Sequence, residues 1–398
     1  MANVSSSNGI EKHPKLRFPE FSEPWERVRI GDVYAERNER GAESAELLSV
    51  TMTEGVKRRS DIEGKDNSSE DKGNYKVVRI GDMVYNSMRM WQGANGISDY
   101  DGIVSPAYTV MKAKREIANG FFAALFKTHR MIGEFCRHSQ GMTSDTWNLK
   151  YPQIESIQTY IPTVTEQRKI ADMLMYLDRR IEKQQQLLEH LKKYKRGVDA
   201  SFFDIKRQHC EKELYGWDCV PFGDVVAINP KTPALPEHFI YIDLESVDFG
   251  RLQCLKHINR KDAPSRAQRV LADSDVLFQM VRPYQKNNYF FKDIFNSPVV
   301  ASTGYAQIRC LGCDPVFVFE QISSDYFSQE AMLRSTGTGY PAINSEGLAE
   351  IPFFLPSLPE QKKIGEFLSL LRTKIEYENG QLDVLNKLKT ALLQQLFI

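Results

Sequence analysis

The chain has 398 residues, 41% hydrophobic and 26% charged, which is enough to bury two or three cores without disulfide support. Its 52 basic and 52 acidic side chains cancel, so there is no overall electrostatic signature of a stand-alone, high-affinity nucleic-acid binder, and only local basic patches remain open. No apolar run approaches the ~20 residues that cross a bilayer, and six scattered cysteines make no secreted framework, so a cytoplasmic, non-membrane protein with reduced thiols is expected.

Residues 1–15 read as a polar leader lacking the apolar segment of a secretory signal. Trp25-Glu-Arg-Val-Arg-Ile-Gly-Asp-Val33 returns 192 residues later as Trp217-Asp-Cys-Val-Pro-Phe-Gly-Asp-Val225. Both copies read as a short strand entering a turn at Gly-Asp, with Trp25 and Trp217 as packing residues. Asp61 to Gly73 reads as a solvated loop, whereas the basic triplet Lys57-Arg58-Arg59 is open between a solvated turn and a phosphate contact.

Strand chemistry at Val77 to Tyr85, around Gly81-Asp82, leads into Asn86-Ser-Met-Arg-Met-Trp-Gln-Gly-Ala-Asn-Gly96. The matching stretch, 193 residues on, is Asp275-Val-Leu-Phe-Gln-Met-Val-Arg-Pro-Tyr-Gln-Lys-Asn-Asn288. Each loop combines an Arg, an aromatic ring and amides: Asn86, Arg89, Trp91, Gln92 and Asn95 in one, and Gln279, Arg282, Tyr284, Gln285, Lys286 and Asn287 in the other. Arg can pair with guanine and Asn or Gln with adenine in the major groove, while a ring or Lys can lie on the backbone. Singly these are ordinary polar loop residues. At equivalent positions of two halves they become the best contact candidates.

Ile103 to Val110 and Val299 to Ile308 read as strands through a tight bend, with Tyr108 and Tyr305 in the core or at its rim. Phe121 to His138 and Val316 to Arg334 read as helices with aromatic inner faces. The loops Gly141 to Asn148 and Gly337 to Asn344 follow, adding Thr143, Ser144, Asn148, Thr338, Tyr340 and Asn344 as contact candidates. Gly337-Thr-Gly339 lacks the Gly-Lys-Ser/Thr ending of a nucleotide site. Cys310-Leu-Gly-Cys313 has the spacing of half a zinc site, for which Cys254 and His257 could supply the rest; it sits where a strand ends in a turn, and no metal is expected.

Ile157 to Pro162 and Ile351 to Pro356 read as last strands, each followed by a helix start, Thr165-Glu-Gln-Arg-Lys-Ile170 and Pro359-Glu-Gln-Lys-Lys-Ile364. Ile170, Leu174, Leu177, Ile181, Gln184, Leu188, Leu191, Lys195, Val198 and Phe202 then alternate four and three apart, the seam of a coiled coil. Ile364, Leu368, Leu371, Ile375, Glu378, Leu382, Leu385, Lys389, Leu392 and Leu396 repeat it 194 residues on, polar interruptions included. A helix of this length spans roughly 55 Å and needs a partner helix, the expected one being the other copy. Two separate amphipathic helices, each on its own domain, are the alternative. Gly197 and Gly380 are local weaknesses. The expected organisation is a leader at 1–15, a mixed domain at 16–163, a long helix at 164–204, a second mixed domain at 205–357 and a second long helix at 358–398.

In this order, the duplicated helix starts, Asn86-Ser-Met-Arg-Met-Trp-Gln-Gly93 and Gly102-Ile-Val-Ser-Pro-Ala-Tyr108 resemble the specificity subunit of Type I restriction-modification systems, over essentially the whole chain after the leader. The resemblance implies an α+β fold: two similar mixed α/β target recognition domains separated by a pair of long antiparallel coiled-coil helices. It implies a non-catalytic subunit that reads a split, asymmetric site in double-stranded DNA, with the helices as spacer. Two methyltransferase subunits and motor-nuclease subunits would be its partners, and S-adenosylmethionine, ATP and Mg2+ would belong to them. The second half lacks a counterpart of Gly93, which weakens the carry-over there.

An enzyme that itself methylates DNA would need an Asn/Asp-Pro-Pro-aromatic phrase, and Asn229-Pro-Lys-Thr lacks the second Pro and the ring. No Walker loop or His-Glu-x-x-His motif occurs. The other alternative, a coiled-coil scaffold whose domains bind protein, would use the same Arg, amide and aromatic loops.

Overall fold

The computed structural model describes residues 13–41, 45–52, 54–64, 68–69, 71–143, 146–203, 216–248 and 250–398. Most of the leader, part of the loop Asp61 to Gly73, Ser144 and Cys210 lie outside the described residues. Contacts divide the chain into two units, Met1–Gln184 with Gln381–Ile398, and Gln185–Gly380.

The first unit holds β1 (Glu26–Arg29), β2 (Tyr34–Glu36), β3 (Leu48–Thr51), β4 (Gly55–Arg58), β5 (Lys76–Val78), β6 (Met83–Asn86), β7 (Asn95–Ile97), β8 (Gly102–Val104), β9 (Tyr108–Ala113) and β10 (Gln158–Ile161). An antiparallel sheet runs β2-β9-β6-β7. Its central strands are buried on both faces: Met83, Tyr85 and Met111 face the larger core, while Val84 and Val110 face a smaller one with Leu48, Val56 and Val104. The hairpin β4-β3 meets β8 through a parallel bridge between Leu47 and Ile103, and β8 pairs with β5. β1 closes on β10.

In the second unit lie β11 (Asp218–Pro221), β12 (Val226–Ile228), β13 (His238–Ile242), β14 (Val247–Asp248), β15 (Arg251–Leu252), β16 (Lys256–Asn259), β17 (Ala267–Val270), β18 (Val276–Gln279), β19 (Tyr289–Phe290), β20 (Val299–Ser302), β21 (Tyr305–Cys310) and β22 (Pro352–Leu355). The orders β12-β21-β18-β19 and β16-β13-β20-β17, with β13 parallel to β20, follow those of the first unit strand for strand, and β11 closes on β22. Even one turn recurs. Before β6, Gly81 has φ +87° and the Asp82 carboxylate accepts from Arg79 N and the Arg37 guanidinium; before β18, Ser274 has φ +65° and Asp275 accepts from Ala272 N and the Arg309 guanidinium. These carboxylate hydrogen bonds hold both arginines further toward the charged form.

Two expectations need correction. The Gly-Asp turns after β1 and β11 are single helical turns, Ile30–Val33 and Phe222–Val225. The expected helices at 121–138 and 316–334 are each split: α1 (Asn119–Leu125) from α2 (His129–His138), and later α4 (Pro315–Ile322) from α5 (Asp325–Leu333). Thr128 and Ser324 stand at the breaks, their hydroxyls accepting from Met131 N and Phe327 N as N-caps of the second helix of each pair.

The long helices are α3 (Val164–Phe203) and α6 (Leu358–Gln395), and both run unbroken through Gly197 and Gly380. Every seam position is buried or half-buried, whereas Tyr176, Tyr194, Leu370, Tyr377 and Val384 beside the seam are exposed. In the first unit Ile170 and Leu174 share a core with Leu392, Leu396 and Phe397, and Lys389 of α6 pairs with Asp178 of α3 at 2.5 Å. In the second, Val198, Phe202 and Phe203 share a core with Ile364, Leu368 and Leu371.

A buried glutamine ties each helix start to its domain. Gln167 Nε2 donates to Pro162 O (2.9 Å) and its Oε1 accepts from Ala118 N (3.1 Å), just before α1. Gln361 does the same with Pro356 O and Asp314 N, both at 2.8 Å, just before α4.

Candidate nucleic-acid interface

In the first unit the chain leaves β6 into a tight loop. Asn86 Oδ1 accepts from Met88 N at 3.0 Å, Met90 plugs the core, and Gly93 at φ +83° closes a single 3-10 turn. That anchoring leaves Arg89 exposed and Trp91 and Gln92 half-buried, with Gln92 Oε1 3.5 Å from Arg89 Nη1. The Trp91 indole donates to Met88 O (3.0 Å) and meets Trp147 edge to face, ring centres 5.3 Å apart. Trp147 belongs to the second candidate loop, whose ends Gln140 and Asn148 exchange backbone hydrogen bonds. Thr143 is exposed and Asn148 half-buried, while Ser144 lies outside the described residues. Two loops separated by half a domain in sequence thus meet at one tryptophan pair.

The second unit brings its two loops together by different chemistry. Arg282 stands at φ +55°, its N–H donates to Pro341 O (2.7 Å), and its guanidinium lies 4.2 Å over the ring of Tyr340. Tyr284, Thr338 and Tyr340 are exposed, and Gln285, Lys286 and Asn287 half-buried, with Lys286 paired to Asp325. Asn344 is also exposed, but its Oδ1 accepts from Gly347 N (2.8 Å) as a helix N-cap.

Asn95 and Gln279 do not belong with these residues. Asn95 is fully buried and donates to Gly93 O. Gln279, 2% exposed, donates to Val281 O and Gln285 Oε1 and accepts from Asn287 N. Both amides shape their own loops, which removes them from direct contact with a ligand. The basic triplet is likewise engaged: Lys57 with Glu54, Arg58 over the Tyr100 ring, and Arg59 with the carbonyls of Ile62 and Gly64. The sequence pattern marks the loop of Trp147 but carries no signal of its contact with Trp91, and in the repeated Glu-Gln it points to the charge of the Glu and not to the bridging Gln.

Among the described residues no three His, Cys, Asp or Glu side chains gather to hold a metal, and no helix is long and apolar enough to cross a membrane. Cys313 Sγ instead faces Val225 O at 3.2 Å.

Residues 22–193 and 288–387, more than half of the chain, match the family model of the Type I restriction modification DNA specificity domain. The chain belongs to this family. Among relatives of this specificity subunit, the Type I restriction enzyme MjaVIII specificity subunit of Methanocaldococcus jannaschii is 23% identical over 96% of this chain and 93% of its own length. The HindI specificity subunit of Haemophilus influenzae is 28% identical over 35% of this chain and 31% of its own. In fold, the specificity subunit is similar to the Type I restriction-modification S subunit of M. genitalium, with a TM-score of 0.62 at 15% identity over 97% of this chain and 99% of that one. A chain from a structural study of Type I restriction-modification complex assembly gives a TM-score of 0.54 at 18% identity, over 95% and 99%.

Proposed function

We propose that this specificity subunit reads a bipartite, asymmetric DNA target, one half through the domain at 16–163 and the other through the domain at 205–357. The observation that carries the reading is the convergence, in each unit, of the loop after β6 or β18 with the loop before the last strand, which leaves Arg89 and Gln92, or Arg282 and Tyr284, open to a ligand. Arg89, Gln92, Arg282 and Gln285 are the base-reading candidates; Asn86, Trp91, Thr143, Asn148, Tyr284, Lys286, Asn287, Thr338, Tyr340 and Asn344 line the surface or position it. The helices α3 and α6 form an antiparallel coiled-coil spacer along the Ile170 and Ile364 seams, which supports a fixed gap between the halves.

The subunit is non-catalytic and cytoplasmic. It works with two methyltransferase subunits and with motor-nuclease subunits, which bring S-adenosylmethionine, ATP and Mg2+. Methylation-aware sequencing of DNA from cells expressing this chain with its cognate methyltransferase, against the methyltransferase alone, tests the reading. A split motif with a fixed gap, present only with this chain, is the expected result; a stable complex with the methyltransferase that leaves no motif would overturn it.

A further inference from the structure

The two units differ in how the long helices grip the globular part. In the second unit the Glu320 carboxylate of α4, only 1% exposed, accepts two hydrogen bonds from the Arg372 guanidinium of α6, at 2.7 and 2.9 Å. Lys195 of α3 reaches the same carboxylate at 3.0 Å and also pairs with Asp199, likewise at 3.0 Å. The Arg372 guanidinium lies 4.5 Å over the Phe319 ring. One carboxylate of the globular part is therefore held by cations from both long helices. In the first unit the position aligned with Glu320 is Ala124, and the seam lysine Lys389 pairs with Asp178, a bond from helix to helix that leaves the globular part out.

Burying four charged groups is costly, and apolar residues of similar size often serve stability equally well or better. What an apolar surface cannot supply is a single register, because seam residues at alternating spacings of three and four present nearly the same surface one turn along. A carboxylate that must meet a two-pronged guanidinium and an ammonium together admits one docking only.

We infer that Glu320 is a positioning residue for DNA recognition: gripped by Arg372 and Lys195, it fixes the second recognition domain in one register on its helices and so makes the subunit exacting about the gap in its target. The inference rests on the proposed bipartite reading. Rotational play of this domain on its helices becomes play in the gap.

The test uses the full chain with its cognate methyltransferase and duplexes carrying the motif with its own gap, or a gap one base pair shorter or longer. Two variants are compared with the wild type, E320Q and the four-residue charge-removing exchange K195M/D199N/E320M/R372M, the latter designed to keep the fold while removing the grip. Methylation at the correct gap should persist with both half-site sequences still read, while discrimination against the wrong gaps falls about tenfold, as for residues coupled in one network. Unchanged gap discrimination in a folded variant would overturn the inference. So would failure of the four-residue variant to fold, because the network would then serve stability alone. A wild type indifferent to gap length would instead remove the bipartite reading, and this inference with it.

Discussion

Lys286 takes in the second unit the left-handed backbone position that Gly93 takes in the first: φ is +53° at Lys286 and +83° at Gly93, and each closes a single 3-10 turn. The glycine missing from the second half is thus a change of residue on the same backbone. A side chain in this region costs about 1–2 kcal/mol, which the ion pair of Lys286 with Asp325, partly open to solvent, offsets by only about 0.5 kcal/mol. In Gly93→Ala the new Cβ would meet Lys127 Cγ at 3.6 Å and Ile132 Cδ1 at 3.7 Å, ordinary contacts, so the cost is the backbone's alone. Denaturant unfolding should show G93A destabilised by about 1 kcal/mol and K286G stabilised by less than that. A G93A variant as stable as the wild type would mean that the turn is not held left-handed in solution.

The Arg282–Tyr340 contact leads to a functional expectation. Stacked on the ring and anchored through its backbone to Pro341, the guanidinium is pre-set rather than free to swing. Arg282→Glu should therefore erase the sequence preference of one half of the methylated motif and leave the other intact, whereas Arg89→Glu should erase the other half. Loss of a base contact of this kind is worth about 1–3 kcal/mol. Tyr340→Ala should weaken binding by less, about 1 kcal/mol, because the ring only holds the arginine. Motif sequencing and duplex titration read both effects. If either charge reversal degraded both halves equally, the assignment of one loop pair to each half would be wrong.

What was legible in the sequence, and what was not, follows from the range of each interaction. The seams were plain because a repeat of four and three over ten positions leaves a pattern in the apolar residues themselves, and all ten positions of each helix are at least half-buried. The breaks at Thr128 and Ser324 were not, because a hydroxyl inside an apolar run can face solvent or cap a new helix, and only tertiary packing decides which. Asn95 and Gln279 failed for a related reason: an amide that could read a base can equally well satisfy its own loop, and side-chain type does not distinguish the two. Trp147 and Tyr340 lie 56 and 58 residues beyond Trp91 and Arg282, a separation at which no local pattern signals contact.

Gln167 and Gln361 carry a stability prediction for the duplicated Glu-Gln phrase. Each is buried and bridges a proline carbonyl to the amide just before a domain helix. Gln361→Leu strands Asp314 N–H and Pro356 C=O without partners, at a cost of about 1–3 kcal/mol for each unpaired group. Gln361→Glu keeps the acceptor but loses the donor to Pro356 and adds a buried charge, so it should be at least as damaging at neutral pH. Thermal unfolding of the three proteins decides: a Q361L variant within experimental error of the wild type would show that water replaces the glutamine and that the bridge is dispensable.

Opposite pH dependences are expected from the two acids around Lys195. Burial pushes the Glu320 carboxyl up, but Arg372 and Lys195 together outweigh it and leave the group below its usual 4.5. Asp199 is pushed above its usual 3.8, because there burial outweighs the attraction of Lys195. A depressed folded value means that Glu320 adds stability above its unfolded pKa, lost as the pH falls through the lower folded one. A raised value means that Asp199 adds stability only below its unfolded pKa, lost as the pH rises through the folded one. E320Q should therefore be clearly less stable than the wild type at neutral pH, with the difference narrowing as the pH drops below 4.5. D199N should be slightly more stable at neutral pH and lose that advantage below 3.8. Denaturant midpoints measured across this range distinguish the cases, and a D199N variant less stable than the wild type at neutral pH, with the loss narrowing below 3.8, would show that the bond to Lys195 outweighs the cost of burying the Asp199 charge.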